Sequence, residues 1–263
     1  MTALKPECLK TAIDGTHFAI VELWRGYGVW VIEELFTGEN TVVLRPRVHD
    51  GQTIVQLNVE DIVFLEDICK NKQAGGKTYY LLLDTDKMNE AAQNKFLKLL
   101  EEPVDGVKFV FIAEDTANLL DTVKSRAQMY SIDKISEKES SAMLAGVEAT
   151  KRQQILFLAE GLPGEIRRLK EDERYFEERK QLIAMAKTLV SGGAYEKMID
   201  IQKLHNDRGT AAEVVQLSIK ILSAMVEKTP NKTILRKIGA FMDLSDELTA
   251  MGNVRITMAD RVL

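Results

Sequence analysis

The sequence predicts an α/β domain with a parallel β-sheet, followed by a small helical domain and a larger all-helical domain. In residues 1–132, short apolar and β-branched segments alternate with segments of helical periodicity, as in consecutive β-α units. The remaining residues show helical periodicity and no strand-like segment. A chain of 263 residues suits two or three modest domains, and we expect them at 1–132, 133–173 and 174–263.

Five segments have the apolar, β-branched composition of buried strands. They are residues 17–23, 41–45, 78–84, 107–113 and 127–132. The third of these segments ends in Asp84, which places a carboxylate at the tip of its strand.

Two helices of the first domain have start signals. Asn58 can cap a helix at 58–70, and Asn89 can cap a helix at 90–102. The apolar face of the second helix consists of Ala92, Phe96, Leu99 and Leu100. Glycine and proline interrupt the pattern at Gly75, Pro103, Gly161–Gly164, Gly192–Gly193, Pro230 and Gly252.

Charge, cysteine content and hydropathy exclude several classes of function. The net charge is −5 and neither half of the chain is strongly basic, which argues against nucleic-acid binding through bulk charge. Cys8 and Cys69 lie in no CxxC or Cys/His pattern, so we expect no metal site. No apolar run approaches the roughly 20 residues of a membrane span, and the N-terminus lacks the apolar core of a signal peptide. We therefore expect a cytoplasmic protein with no membrane partner.

The most informative stretch is 78–126. It combines an apolar strand with an acidic tip, a helix ending in Glu-Glu-Pro, a second apolar strand and the tripeptide Ser125-Arg126-Ala127. In order and spacing it resembles the clamp-loader branch of the AAA+ family, with its Walker B strand, LLKTLEEP helix, sensor-1 strand and Ser-Arg-Cys motif. The resemblance implies an AAA+-like α/β domain followed by a helical lid and a helical collar.

The catalytic acids of that family are only partly present. Walker B chemistry uses an Asp for magnesium and a Glu that orients the attacking water. Asp84 stands at the Asp position, Thr85 replaces the Glu, and Asp86 retains the second acid of the motif. Because threonine cannot act as the base, we interpret the two acids as a solvated strand end or a helix cap.

The phosphate-binding loop of the family is degenerate. A functional loop reads G-x-x-x-x-G-K-[ST], and the chain contains no such motif. Gly26 and Gly28 remain, Val29 stands at the lysine position, and Trp30 stands at the hydroxyl position, where residues 29–36 could begin a helix. An indole there would fill the space of magnesium and phosphate, so we expect no nucleotide, no other cofactor and no metal.

The sensor-2 region lacks its arginine as well. In ATP-binding relatives this arginine reaches the γ-phosphate, and its position here is Gly164. The Gly-x-Pro-Gly form is similar to the delta-prime proteins of the bacterial DNA polymerase III clamp loader rather than to the ATP-binding gamma/tau subunits. We interpret Arg167 and Arg168 as surface charges.

Ser125 and Arg126 precede the last predicted strand. In the family this arginine reaches the ATP site of a neighbouring subunit and neutralises transition-state charge as an arginine finger. The alternative is an ordinary salt bridge. An arginine retained beside a degenerate site favours the role in the neighbouring site.

The resemblance implies a clamp-loader subunit that does not bind ATP and whose partners are gamma/tau and delta subunits. The sliding clamp and primed DNA would be partners within the complex. A delta-like clamp-opening subunit and a divergent gamma/tau-like subunit stay open as alternatives. Lys95 and Lys98 could contact a DNA backbone or form a solvated helix face, and Asn253 and Arg255 resemble the end of the collar.

Overall fold

The computed structural model describes residues 2–37, 40–49, 53–71, 78–102, 104–229, 231–249 and 254–262. The chain divides into two compact units, residues 1–170 and residues 171–263. Every strand in the described residues belongs to the first unit, and the second unit is helical. The division into three domains, with a boundary near residue 133, stays a prediction.

The described residues form eight strands. They are β1 (Thr2–Leu4), β2 (Phe18–Glu22), β3 (Asn40–Leu44), β4 (Arg47–Val48), β5 (Val55–Gln56), β6 (Tyr79–Asp84), β7 (Val107–Ala113) and β8 (Gln128–Ile132). Six of them form one parallel sheet in the order β1-β8-β2-β7-β6-β3. The other two, β4 and β5, form an antiparallel hairpin. The predicted parallel sheet is confirmed, and all five predicted strands belong to it.

Helices follow the strands in the predicted alternation and then fill the rest of the chain. In the first unit they are α1 (Pro6–Asp14), α2 (Val29–Leu35), α3 (Val59–Asn71), α4 (Glu90–Glu101), α5 (Asp121–Lys124), α6 (Glu137–Met143), α7 (Ala149–Ala159) and α8 (Pro163–Glu171). Those of the second unit are α9 (Glu173–Ser191), α10 (Ala194–Leu204), α11 (Arg208–Lys228), α12 (Lys232–Thr249) and α13 (Val254–Val262).

The predicted start signals of α3 and α4 are confirmed. The side chain of Asn58 accepts a hydrogen bond from the N–H of Glu60 at 2.9 Å, and that of Asn89 accepts one from the N–H of Ala92 at 2.8 Å. Among the predicted interruptions, Gly161 separates α7 from α8, and Gly192–Gly193 separates α9 from α10. The others at Gly75, Pro103, Pro230 and Gly252, and the collar residue Asn253, lie outside the described residues.

Helices bury both faces of the sheet, because side chains alternate between its faces along each strand. The face under α3 and α4 holds a cluster of aromatic rings: Phe18, Phe96, Phe109 and Phe111. The opposite face, under α1 and α2, holds the aliphatic side chains of Ala19, Val21, Leu82, Val110 and Ile112. With both faces covered, the carboxyl edge of the strands is where polar side chains can gather.

The N-terminal strand β1 and helix α1 have no counterpart in the predicted elements. The three residues of β1 pair in parallel with β8, with Thr2 opposite Tyr130 and Leu4 opposite Ile132. A three-residue strand carries no periodicity that could reveal it, so its conformation is decided by this pairing.

Helix α11 corrects the expectation about apolar runs. Its residues 208–227 are long and apolar enough to cross a membrane by length and composition, and 33% of this stretch is buried. The expectation that no run approaches this length is therefore wrong. In the second unit α11 packs against α9 and α12, which accounts for the part of its apolar face that is buried.

Candidate functional site

The backbone of residues 23–28, which we call the degenerate loop, is bound to the chain itself at the carboxyl edge of the sheet. Gly26 and Gly28 have φ angles of +82° and +93°, a region that glycine enters without strain. The N–H of Gly26 donates a hydrogen bond to Oε1 of Glu114 at 3.1 Å. A carboxylate of the chain thus uses a backbone N–H of the kind that a phosphate-binding loop presents to its ligand.

The indole of Trp30 lies against the end of this loop. A Cβ on Gly28 would lie 2.5 Å from Nε1 and 2.9 Å from Cδ1 of Trp30. The guanidinium of Arg167 lies over the indole, with its Cζ 5.0 Å from the ring centroid, in a cation–π arrangement. Arg167, interpreted from the sequence as a surface charge, therefore joins α8 to the first turn of α2.

The first turn of α8 binds directly to the degenerate loop. The N–H of Gly164 donates to the carbonyl oxygen of Tyr27 at 2.7 Å, and the N–H of Glu165 donates to that of Gly26 at 2.9 Å. The first turn of a helix leaves its N–H groups without partners inside the helix, and the loop carbonyls supply them here. Gly164, at the position expected for the sensor-2 arginine, thus contacts the degenerate loop through its backbone.

Tyr27 anchors the same loop in the hydrophobic core. Its side chain is fully buried among the apolar residues under α1 and α2. Burial, together with the negative charges of Glu139 and Asp133, raises the pKa of Tyr27 to about 12. Its hydroxyl has no hydrogen-bond partner in the described part of the chain. The tyrosine therefore acts by packing, and the pattern of the loop motif does not reveal it.

The degenerate Walker B residues have three different environments. Burial raises the pKa of Asp84, and the negative charges of Asp86, Glu114 and Glu33 raise it further, while a backbone hydrogen bond from Asp86 acts in the opposite direction. Such surroundings disfavour the charged form that would bind magnesium. Among the described residues, no group of three or more His, Cys, Asp or Glu side chains has an arrangement that could hold a metal ion.

Thr85 and Asp86 connect the end of β6 to the end of β7. The side chain of Thr85 is buried, and both its N–H and its hydroxyl donate to the carbonyl oxygen of Ile112, at 2.9 Å and 3.2 Å. Oδ1 of Asp86 accepts hydrogen bonds from the N–H groups of Glu114 at 2.7 Å and Asp115 at 3.2 Å. Asp86 is thus a half-buried acceptor for the end of β7, and the cap of α4 is Asn89.

Ser125 and Arg126 lie at the surface, at the C-terminal end of α5. The Ser125 hydroxyl and the Arg126 guanidinium both donate to the carbonyl oxygen of Thr122, at 3.1 Å and 3.0 Å. The side chain of Arg126 is 44% exposed, and its nearest carboxylate is Glu101 at 3.8 Å. An exposed ion pair of this length contributes little stability, so the guanidinium can exchange it for another anion.

Gln93 on α4 is a buried polar residue that the sequence motifs do not single out. Its Nε2 donates to the carbonyl oxygens of Met88 and Asn118, and its Oε1 accepts from the N–H of Leu120 at 2.7 Å. The only signal in the sequence is a polar residue beside Ala92 at the edge of the apolar face of α4. On the same helix Lys95 pairs with Glu66 of α3 at 2.6 Å, which favours a structural role over a DNA contact.

Comparisons with known proteins agree with the resemblance seen in the motifs. A family model described as "DNA polymerase III, delta subunit" matches residues 36–136. "DNA polymerase III subunit delta'" of Haemophilus influenzae is 31% identical over 107 residues, which are 41% of this chain and 32% of that protein. The protein of the same name in Bacillus subtilis is 34% identical over 79 residues, 30% of this chain and 23% of that protein. The predicted resemblance to delta-prime proteins is confirmed for these parts of the sequence, and the chain spans a third or less of the relatives' length.

A solved structure supports the fold over nearly the whole chain. The crystal structure of a "DNA polymerase III, gamma subunit-related protein" from Thermotoga maritima is similar with a TM-score of 0.50 at 14% identity. The match covers 99% of this chain and 100% of the other. At this identity the likeness concerns the fold alone, and the AAA+-like fold predicted from the sequence is confirmed.

Replacing Gly164 by alanine should destabilise the first unit. A Cβ there would lie 2.7 Å from the carbonyl oxygen of Gly26 and 2.9 Å from that of Tyr27. Two backbone atoms cannot move aside cheaply, so the free energy of unfolding should fall by about 1–3 kcal/mol. Gly239→Ala in α12 is the control, because nothing lies within 4 Å of its Cβ position. Denaturant unfolding of the full chain measures both, and equal midpoints would contradict the close contact of α8 with the loop.

Replacing Asp84 by asparagine should stabilise the protein at neutral pH. Because the pKa of Asp84 is raised, the folded state holds its proton more tightly than the unfolded chain, where the pKa is about 3.9. Its ionisation therefore reduces stability as the pH rises from that value through the raised pKa. The melting temperature of the variant should exceed that of the original at pH 7, and the difference should shrink toward pH 4. Exposed Asp105→Asn serves as the control, and a lower melting temperature of Asp84→Asn at pH 7 would refute the argument.

Proposed function

We propose that this chain is a delta-prime-like subunit of a bacterial DNA polymerase III clamp loader that binds no ATP and supplies Arg126 to the ATP site of a neighbouring subunit. The matches to delta-prime proteins over part of the chain support the family role. One observation carries the proposal about Arg126. This arginine is accessible, and it belongs to a unit in which Glu114 occupies the N–H of Gly26 in the degenerate loop.

The inactivity of the nucleotide site is supported by how the degenerate loop makes its contacts. A phosphate-binding loop needs free N–H groups facing the phosphates, a lysine, and a hydroxyl on magnesium. Here the N–H of Gly26 is used by Glu114, Trp30 stands at the hydroxyl position, and α8 binds the loop carbonyls. A phosphate would have to displace Glu114 from the N–H of Gly26 and would meet the indole of Trp30 where the hydroxyl residue of a functional loop stands.

The role of Arg126 is supported by its accessibility and by the chemistry of its side chain. A guanidinium is charged at all physiological pH values and can bind two phosphate oxygens at once. It is held near the surface by Thr122, a neutral partner, and by a long contact to Glu101. A neighbouring subunit could therefore engage it without breaking a strong internal ion pair.

Assembly with gamma/tau and delta subunits is proposed to use the helical second unit, the predicted collar. Several large apolar side chains of this unit are exposed: Tyr195, Met198, Ile199, Met225, Leu235, Met242 and Ile256. Exposed apolar side chains in this number suit a unit that buries part of its surface against sister subunits. Within such a cytoplasmic complex, the sliding clamp and primed DNA would be the substrates of loading.

A delta-like clamp-opening subunit is the second candidate, since the description of the family model names the delta subunit. Delta proteins resemble this chain in lacking an ATP site but lack the Ser-Arg motif that Ser125 and Arg126 form here. A functional requirement for Arg126 would therefore separate the two. A gamma/tau-like subunit would instead require ATP binding by this chain.

The isolated chain should not bind ATP. The physical reason is that Val29 and Trp30 replace the lysine and the hydroxyl residue, while Glu114 occupies a loop N–H. Titration calorimetry with ATP and magnesium checks this, with the same titration without magnesium as the control. Saturable binding in the micromolar range would refute it and favour the gamma/tau-like alternative.

Arg126→Ala should lower ATP hydrolysis by the assembled complex in the presence of the clamp and primed DNA, and should slow clamp loading. The loss at the affected site should be on the order of 10³-fold, as for other arginine fingers, and total turnover should fall less because other sites keep working. Arg126→Lys should be nearly as harmful, because an ammonium lacks the planar fork of a guanidinium.

The matched control is Arg25→Ala, which removes an exposed arginine from the degenerate loop of the same unit. It should leave hydrolysis and loading unchanged. Folding and assembly of the Arg126 variants should also be intact, as checked by melting temperature and size exclusion. Normal hydrolysis and loading with Arg126→Ala would contradict the prediction and show that Arg126 is an ordinary surface charge.

A further inference from the structure

We propose that Asp86 and Gln93 are positioning residues that hold residues 114–120, which we call the β7–α5 segment, and thereby fix the place where Arg126 is presented. The consequence for hydrolysis rests on the proposed function. That Asp86 and Gln93 hold the segment rests only on their hydrogen bonds. The position of the segment and the effect on hydrolysis can therefore be tested separately.

Asp86 holds the start of the β7–α5 segment. Its Oδ1 accepts from the N–H groups of Glu114 and Asp115, at 2.7 Å and 3.2 Å. The side chain of Asp115 in turn accepts from the N–H of Ala117 at 2.8 Å and caps the short 3₁₀ turn Thr116–Asn118. One carboxylate thus orients two consecutive N–H groups, and bonds to an ionised acceptor are stronger than bonds to a neutral one.

Gln93 holds the end of the segment. The amide is 2% exposed and makes three hydrogen bonds. Its Nε2 donates to the carbonyl oxygen of Asn118 at 3.1 Å, and its Oε1 accepts from the N–H of Leu120 at 2.7 Å. Its other donor bond, to the carbonyl of Met88 at 3.2 Å, fixes the amide in the orientation that serves both. The segment is therefore gripped on both sides of Leu119.

The segment is connected to Arg126 by the backbone hydrogen bonds of α5. The carbonyl oxygen of Leu120 accepts from the N–H groups of Val123 and Lys124, both at 3.0 Å, and the N–H of Arg126 donates to the carbonyl of Val123 at 3.1 Å. Helix α5 has four residues, too few to be stable without tertiary support. Its position is therefore set by what holds Leu120, and the guanidinium of Arg126 is tied back to the same helix.

This arrangement also accounts for an acid in a site that we propose to be inactive. Asp86 corresponds to the second acid of the Walker B motif, and in this chain its carboxylate is engaged with backbone N–H groups of the β7–α5 segment. An acid that resembles part of a nucleotide site thus helps to hold the segment that precedes Arg126. Leu119 and Val123, buried in the core, keep the segment folded when a polar contact is removed.

Amide hydrogen exchange of the full chain tests the grip directly. Gln93→Met keeps the length of the side chain and removes its hydrogen bonds, and Asp86→Ala removes the carboxylate. In Gln93→Met the amides of Leu120, Lys124 and Arg126 should exchange roughly tenfold faster, because Leu120 loses its acceptor. In Asp86→Ala the amides of Glu114 and Asp115 should exchange faster by a similar factor, because they lose theirs. Asp86→Asn retains an acceptor oxygen and should exchange nearly as slowly as the original. Gln153→Met, on the exposed side of α7, is the control and should change nothing.

Hydrolysis by the assembled complex, with ATP, clamp and primed DNA, tests the consequence for Arg126. Gln93→Met should lower kcat with little change in KM for ATP, and Asp86→Asn should restore most of what Asp86→Ala loses. In an Arg126→Ala background, Gln93→Met should cause no further loss, because its effect passes through the arginine.

The results separate this inference from the proposed function. Unchanged exchange of Leu120, Lys124 and Arg126 in Gln93→Met, or of Glu114 and Asp115 in Asp86→Ala, overturns the inference. Faster exchange with an additional loss in the Arg126→Ala background also overturns it, because the two residues would then act elsewhere. If Arg126→Ala alone has no effect on hydrolysis, the proposed function fails, and faster exchange would still establish the grip on the β7–α5 segment.

Discussion

The backbone polar groups at the carboxyl edge of the parallel sheet need hydrogen-bond partners, and most of the site follows from this constraint. In a nucleotide-binding protein, a bound phosphate satisfies the N–H groups of the loop after the first strand. In this chain Glu114 bonds the N–H of Gly26, and the first turn of α8 bonds the loop carbonyls. These contacts give the N–H of Gly26 and the two loop carbonyls partners within the chain, so the loop needs no ligand to satisfy these groups.

The same constraint explains why the two acids of one motif differ. Asp84 is partly buried among other carboxylates, which raises its pKa and makes its charged form costly. Asp86, two residues later, has N–H groups of the neighbouring segment as partners. Position after a strand is therefore insufficient to assign a role to a carboxylate. The groups around a carboxylate decide whether its charged form is destabilised, as for Asp84, or accepts hydrogen bonds, as for Asp86.

In the proposed function, the first unit supplies an arginine to a neighbouring ATP site while its own loop binds no nucleotide. The degenerate loop, Trp30 and Arg167 form a closed surface around the start of α2, whereas Arg126 lies at the end of α5 with weak partners. In the sequence, Asp86 and Gln93 lie between the degenerate loop and Arg126. On this proposal, nucleotide binding can be lost while Arg126 keeps its position, because α5 and the segment before it are held by backbone hydrogen bonds and buried side chains.

The sequence by itself determined the elements with strong local signals: five strands of the sheet, the helices α3 and α4 with their asparagine caps, and the order of the motifs in 78–126. Alternating or helical periodicity and capping side chains act over a few residues, so they can be read without the fold. The tertiary structure alone decided the strand β1, the packing of α11 against α9 and α12, and the use of Glu114, Arg167 and Gln93. Gly26 and Glu114 are 88 positions apart. Contacts over such distances depend on how the helices and strands pack, and no local pattern encodes them.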